Sequence, residues 1–201
     1  SEIIKDMSES KEMNRLIQGD VGSGKTIIAL LSMYLAYLNG FQSTLMAPTE
    51  ILAEQHFISF KSMLEPLGVN IGILSRSVKK KKDVLRKIED GELDIIVGTH
   101  ALIQDKVVFN KLGLVVTDEQ HRFGVRQRSF LKKKGMNPDV LVMSATPIPR
   151  TLSLILYGDL DISIIDELPP GRKHINTYNI SKNKICKLYD FIEKEFEKGR
   201  Q

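Results

Sequence analysis

The 201-residue chain has no tryptophan and a single cysteine, Cys186. A lone cysteine cannot close an internal disulfide, and a reducing cytosolic setting is the simplest reading. Nothing near Cys186 offers the partners of a reactive thiolate or a metal site, and the residue is expected to face the core from the last helix. Aromatic residues make up only 6% of the chain, which argues against stacking platforms for unpaired bases. The N-terminus carries no secretory signal. The longest apolar-rich stretch, residues 26–38, is too short and too interrupted to span a bilayer, so no membrane partner is expected. Charge of one sign is not in large excess either. A net charge of +4 is compatible with a polyanionic partner without requiring one.

What the chain does have is a regular alternation. Short runs rich in Val, Ile, Leu and Met at residues 15–18, 44–47, 71–74, 94–97, 114–117 and 140–143 read as buried strands. Helical patterns at 25–38, 50–64, 79–89, 126–133 and 149–156 lie between them. Asn39-Gly40 ends the first helix and Glu65-Pro66-Leu67-Gly68 the second. The alternation predicts an α/β fold, a parallel sheet sandwiched by helices. Near Asp166 the texture changes. "DELPPGRK" has a Pro-Pro-Gly centre that continues neither a helix nor a central strand. A strand-like piece at 175–180 and a helix at 182–198 follow it, too little to bury a core. The expected organisation is a first lobe at 1–165, a linker at 166–174 and the opening of a second lobe at 175–201. The chain is accordingly expected to be a piece of a longer protein.

"GDVGSGKT" fits the phosphate-cradling pattern G-x-x-x-x-G-K-[ST] at every fixed position: Gly19, Asp20, Val21, Gly22, Ser23, Gly24, Lys25 and Thr26. Glycines let the backbone turn its N–H groups inward, and the following helix adds its positive end. Lys25 reaches the terminal phosphates, and Thr26 offers a hydroxyl to Mg²⁺. The run before it reads as a strand and the run after it as a helix, which is the context this motif requires. ATP with Mg²⁺ is the predicted ligand. The two adjacent acids of "LVVTDEQHRFGV" then make sense. Asp118 is expected to hold the metal, and Glu119 to orient water and accept its proton.

Five predicted strands run into a distinctive polar group: residues 19–26, Pro48-Thr49-Glu50, Gly98-Thr99-His100, 118–121 and 144–147. A parallel sheet gathers its ligands at this edge, and five groups exceed what a nucleotide needs. Thr49 and Thr99 could meet the phosphates of a nucleic acid strand, although Thr49 reads equally as the N-cap of helix 50–64. His100 is expected in packing. "KKKKD" at 79–83 reads as a solvated turn. The cations of 122–134 read as a solvated face or as a nucleic-acid or interdomain contact.

The order GxGKT, APTE, GTHAL, DEQH, SATP resembles the first motor domain of superfamily 2 helicases. The longer strings "APTEILAEQH", "IVGTHALIQ", "DEQHRFGVRQR", "MSATPIPRTL", "YGDLD" and "DELPPGRK" resemble the RecG-type branched-DNA helicases over nearly the whole chain. The resemblance implies a RecA-like P-loop domain in a bacterial, nucleoid-associated ATP-dependent DNA helicase acting on forks and Holliday junctions. It also implies that Gln120, His121, Ser144, Ala145 and Thr146 couple nucleotide state to DNA grip. Pro48, Thr49, Glu50, Gly98 and Thr99 would track the DNA backbone. Arginines of a second motor domain complete ATP hydrolysis in such enzymes, and a wedge domain splits the branch point. This piece alone is therefore expected to bind nucleotide and hydrolyse it poorly. Two rivals stand beside this reading. One is a transcription-coupled repair translocase, whose motif usually reads DEEH and which lacks the PPGRK pattern. The other is a non-catalytic module that only binds nucleotide or DNA.

Overall fold

Strands buried on both faces read as near-continuous apolar runs, and residues 95–97, 114–116 and 140–143 are written that way. The computed structural model describes residues 2–118, 134–135, 137–146, 160–167, 177 and 179–199. All six predicted runs form strands: β1 Asn14–Gly19, β2 Gln42–Met46, β3 Ile71–Leu74, β4 Ile95–Gly98, β5 Leu112–Thr117 and β6 Asp139–Ser144. A seventh, β7 Asp161–Ile165, was not expected. The strands form one parallel sheet in the order β3-β4-β2-β5-β6-β1-β7.

Alternate residues feed two separate cores. Ile17, Leu45, Ile95, Val97, Leu114, Val116, Leu141 and Met143 pack on one face. Helices α2 Lys25–Leu38 and α3 Glu50–Leu64 cover that face through Leu30, Met33, Ala36, Ala53, Phe60 and Leu64. Leu16, Met46, Ile96, Val115, Val140 and Val142 point the other way. They pack with Ile88 of α4 Lys81–Glu89 and with Ala101 and Leu102 of a 3-10 turn, His100–Ile103. Helices α2 and α3 have their predicted bounds, and α4 begins two residues later than predicted. The helices predicted at 126–133 and 149–156 lie outside the described residues.

A short first helix, α1 Glu2–Ser8, also escaped the sequence reading. Arg15 ties it to the sheet. Its guanidinium meets Asp6 at 2.6 Å and Glu2 at 3.1 Å, and donates to Ser163 Oγ of β7 at 2.8 Å. The Arg15 side chain is 10% exposed, so its loss strands charge in a mostly dry place. Glu2 is largely exposed, which reduces the effect. Arg15→Leu is expected to destabilise the chain by about 2 kcal/mol and to release α1. Urea unfolding, together with faster amide exchange at residues 2–8, would register both.

The chain divides into two compact units, Ser1–Pro169 and Pro170–Gln201. In the second, the described residues form a 3-10 turn, Lys182–Lys184, and helix α5 Ile185–Glu197, closed by Gly199 at φ +69°. Thr177, Asn179 and Ile180, the described part of the strand-like piece, are not in a strand. Cys186 is exposed, contrary to expectation. A single amphipathic helix and its lead-in turn have no second layer among the described residues of this unit to bury a face against.

Candidate functional site

In a fully parallel sheet the carboxyl ends of all strands share one edge. β1 delivers the loop Gly19 to Gly24 there, and β6 separates it from β5, which delivers Asp118. Two strand spacings put β1 and β5 about 10 Å apart.

The loop is built for close approach. Gly22 and Gly24 have φ of +82° and +92°, which side chains rarely adopt, and Gly24 is the N-cap of α2. A Cβ on Gly19 would lie 2.6 Å from Ser23 Oγ and 3.0 Å from Ile165 Cβ. Inside the turn, Ser23 N donates to Asp20 O at 3.1 Å, and Val21 N donates to the Asp20 carboxylate at 2.8 Å. Lys25 Nζ donates to the carbonyls of Gly19 and Asp20, each at 2.7 Å, which holds the ammonium over the loop. Ser23 Oγ is buried and makes no hydrogen bond. A buried hydroxyl without a partner costs free energy, and a phosphate oxygen supplies the missing one. The residues present therefore fit an anionic phosphate. Beside the loop, α2 and α3 enclose a cavity of about 350 Å³ lined by Lys25, Thr26, Ile27, Phe60 and Met63. A larger cleft, about 1070 Å³, opens at the opposite edge, where Asn14, Leu112, Asp139 and Asp161 begin or adjoin their strands. Size does not decide between them, because the loop and the acid share the other edge.

Asp118 follows the last residue of β5. Its main-chain N–H donates to Met46 O at 2.9 Å, and its Oδ2 accepts from Nε2 of His56 on α3, also at 2.9 Å. Both side chains are mostly buried, at 18% and 12% exposure. The sequence reading had not singled out His56. Its spacing was the available signal: seven residues after Thr49 is two helical turns, on the same face as the strand ends. Glu119, Gln120 and His121 lie outside the described residues.

At the end of β6, between the loop and the acid, Ser144 is buried, and Thr146, two residues beyond the strand, is exposed. Their hydroxyls lie 3.0 Å apart, and Thr146 N donates to Ser144 Oγ at 3.2 Å. The pair closes a tight turn with Ala145 at its centre. Gln18 and Ser144 are in register, so the turn starts level with the root of the phosphate loop.

At the other strand ends the structure gives several residues structural work. Thr49 is the N-cap of α3, its Oγ1 accepting from Leu52 N at 3.2 Å. The Glu50 carboxylate accepts from Arg76 N at 2.9 Å and fixes the turn after β3, while Pro48 links β2 to this cap. Gly98 lies where a Cβ would collide with the Leu74 carbonyl and crowd Leu102, and Thr99 is buried. His100 is exposed rather than packed, because the 3-10 turn directs Ala101 and Leu102 inward in its place.

Known proteins resemble the chain in sequence and fold. The family model for DEAD/DEAH box helicases matches residues 1–155. The whole chain is 54% identical to the ATP-dependent DNA helicase RecG of Bacillus subtilis and covers 30% of it. It is 46% identical to the Thermotoga maritima protein of the same name and covers 26%. Among solved structures, RecG bound to a three-way DNA junction superposes with a TM-score of 0.79 at 42% identity, over 98% of this chain and 27% of that one. The Pyrococcus furiosus Hef helicase domain, 20% identical with a TM-score of 0.63 over 99% of this chain and 54% of that one, shares the fold. The chain thus spans less than a third of the length of its RecG relatives. Its α/β architecture is that of a RecA-like motor domain, and the chain belongs to the DEAD/DEAH box helicase family.

Proposed function

We propose that the chain is the nucleotide-binding first lobe of a RecG-type ATP-dependent DNA helicase that remodels stalled forks and Holliday junctions. Residues 1–165 form the lobe, 166–174 lead out of it, and 175–201 open the second motor domain. The observation that carries the reading is the phosphate loop and Asp118 meeting at one sheet edge with the Ser144 turn between them.

In this reading residues 19–26 hold the phosphates of ATP, with Lys25 on the terminal ones. Thr26 and Asp118 hold Mg²⁺, which screens the phosphate charge when bound. No group of three or more metal-ligating acids, histidines or cysteines occurs among the described residues. Mg²⁺ takes one or two protein carboxylates and fills its octahedron with phosphate oxygens and water. Glu119 orients the attacking water and takes its proton. Gln120, His121, Ser144, Ala145 and Thr146 relay the nucleotide state. Pro48, Thr49 and Glu50 lie along the DNA backbone, with Gly98 and Thr99 shaping the neighbouring strand end that lies along it from their buried positions. Thr49 can do this while capping α3, since its Oγ1 accepts one bond and its hydroxyl proton remains to be donated. The working site follows that of the bacterial relatives, in the cytoplasm at the nucleoid. None of the described helices is long and apolar enough to cross a membrane. A second motor domain and a wedge domain complete the enzyme, so the 201 residues alone should turn over ATP far more slowly than the full-length protein.

The test is ATP turnover by the full-length protein on forked DNA, linear duplex and single-stranded RNA. Strongest stimulation by the fork is the expected result. Equal stimulation by linear duplex would favour a transcription-linked translocase, and a preference for RNA would place the protein in another branch of the family.

A further inference from the structure

We infer that His56 is the positioning residue for the Asp118 carboxylate, setting the orientation in which Asp118 meets a cation. The inference rests on the reading of Asp118 as a cation-holding acid. The Asp118 main chain is already fixed by its bond to Met46 O, so the freedom left is side-chain rotation. His56 removes it. A carboxylate can only accept in this pair, so Nε2–H is the donor, and the bond engages Oδ2 alone.

The donor itself is held firmly. The His56 ring lies 5.7 Å from that of Phe60, tilted by 49°, and Phe60 is fully buried. Helix α3 is seated by Ala53, Phe60 and Leu64 and pinned at its start by the Thr49 cap and the Glu50 bond to Arg76 N. Such outer partners govern how a ligating carboxylate is presented, and their loss typically costs 10–100-fold in metal affinity. A helix anchored at both ends is a firmer mount than a loop for this donor.

The experiment uses the full-length protein and a fluorescent ADP analogue, titrated with Mg²⁺ at fixed nucleotide. His56→Phe keeps the ring on Phe60 and removes the donor. His56→Gln restores an N–H donor, and Lys25→Ala reports on the phosphate loop. Melting without nucleotide checks each fold. His56→Phe is expected to raise the Mg²⁺ concentration for half-maximal tight binding by about 10–100-fold, with Mg²⁺-free nucleotide affinity unchanged, and His56→Gln to recover most of the loss. A wild-type Mg²⁺ midpoint in a folded His56→Phe protein overturns the inference. Equal loss in Phe and Gln variants does the same, since restoring an N–H donor would then not restore the midpoint. Nucleotide binding that survives Lys25→Ala intact, or that never depends on Mg²⁺, would instead overturn the site reading beneath it.

Discussion

On the proposed reading, Lys25→Ala in the full-length protein is expected to lower DNA-stimulated ATP turnover by on the order of 10²–10³-fold and to leave the fold intact. The ammonium sits over the loop, bonded to Gly19 O and Asp20 O, so it is in position before any phosphate arrives. A preoriented donor facing developing negative charge contributes far more to the transition state than to the ground state. The fold should not follow the activity down. Alanine is the best helix former at the first position of α2, and each lost bond to a loop carbonyl is worth roughly 1 kcal/mol. Lys25→Arg should rescue little, because a planar fork does not replace a compact ammonium in a loop of this radius. Turnover on forked DNA beside a melting curve would separate the two effects. A loss below tenfold in a folded variant would mean that the phosphates lie elsewhere.

The largest effect on stability is expected at Gln42. It begins β2 with 5% exposure and uses every polar atom of its amide. Nε2 donates to Ile88 O at 3.0 Å and Leu93 O at 2.7 Å, and Oε1 accepts from Asn110 N at 2.8 Å and Lys111 N at 3.2 Å. One side chain therefore closes the end of α4, the turn into β4 and the approach to β5. Gln42→Leu keeps similar bulk but takes this partner from Leu93 O, Asn110 N and Lys111 N, while Ile88 O keeps its bond from Gly91 N at 3.2 Å. Each buried orphan costs about 1–3 kcal/mol and some will find water, so a net loss on the order of 3–5 kcal/mol is expected. It should appear as a lower urea midpoint at unchanged slope. A loss under about 1 kcal/mol would show that water replaces the amide without penalty.

Elements with strong local punctuation were readable from sequence. Asn39-Gly40 and Glu65-Pro66 stop α2 and α3 where expected, and the two-faced apolar runs of β4, β5 and β6 could only be buried strands. The glycine pattern announced a tight loop between β1 and α2, where Gly22 and Gly24 take positive φ. What escaped depends on residues far apart in the chain. β7 is a half-exposed edge strand with weak patterning, held by pairing to β1 from Arg15↔Asp161 to Gly19↔Ile165. Helix α1 buries one residue, Ile3, and owes its seat to Arg15. His56 and Asp118 are 62 residues apart, and no local pattern joins them. Gly98 was legible as a special position, but a crowding backbone on the neighbouring strand accounts for the glycine without any ligand.

The position of β1 between β6 and β7 also fixes an order of assembly. Strands β2 to β5 become available by residue 117 and can pair among themselves, in the order β3-β4-β2-β5. β1, although made first, has its neighbours at Asp139–Ser144 and Asp161–Ile165. Its apolar pair Leu16 and Ile17 must wait for more than a hundred residues of chain, and such distant pairing is slow and leaves sticky strands uncovered meanwhile. The loop from Gly19 to Gly24 is thus scaffolded after β2 to β5 have formed, although its residues precede theirs in the chain. A nucleotide can stabilise only the finished lobe; the earlier stages depend on the sheet alone, or on chaperones.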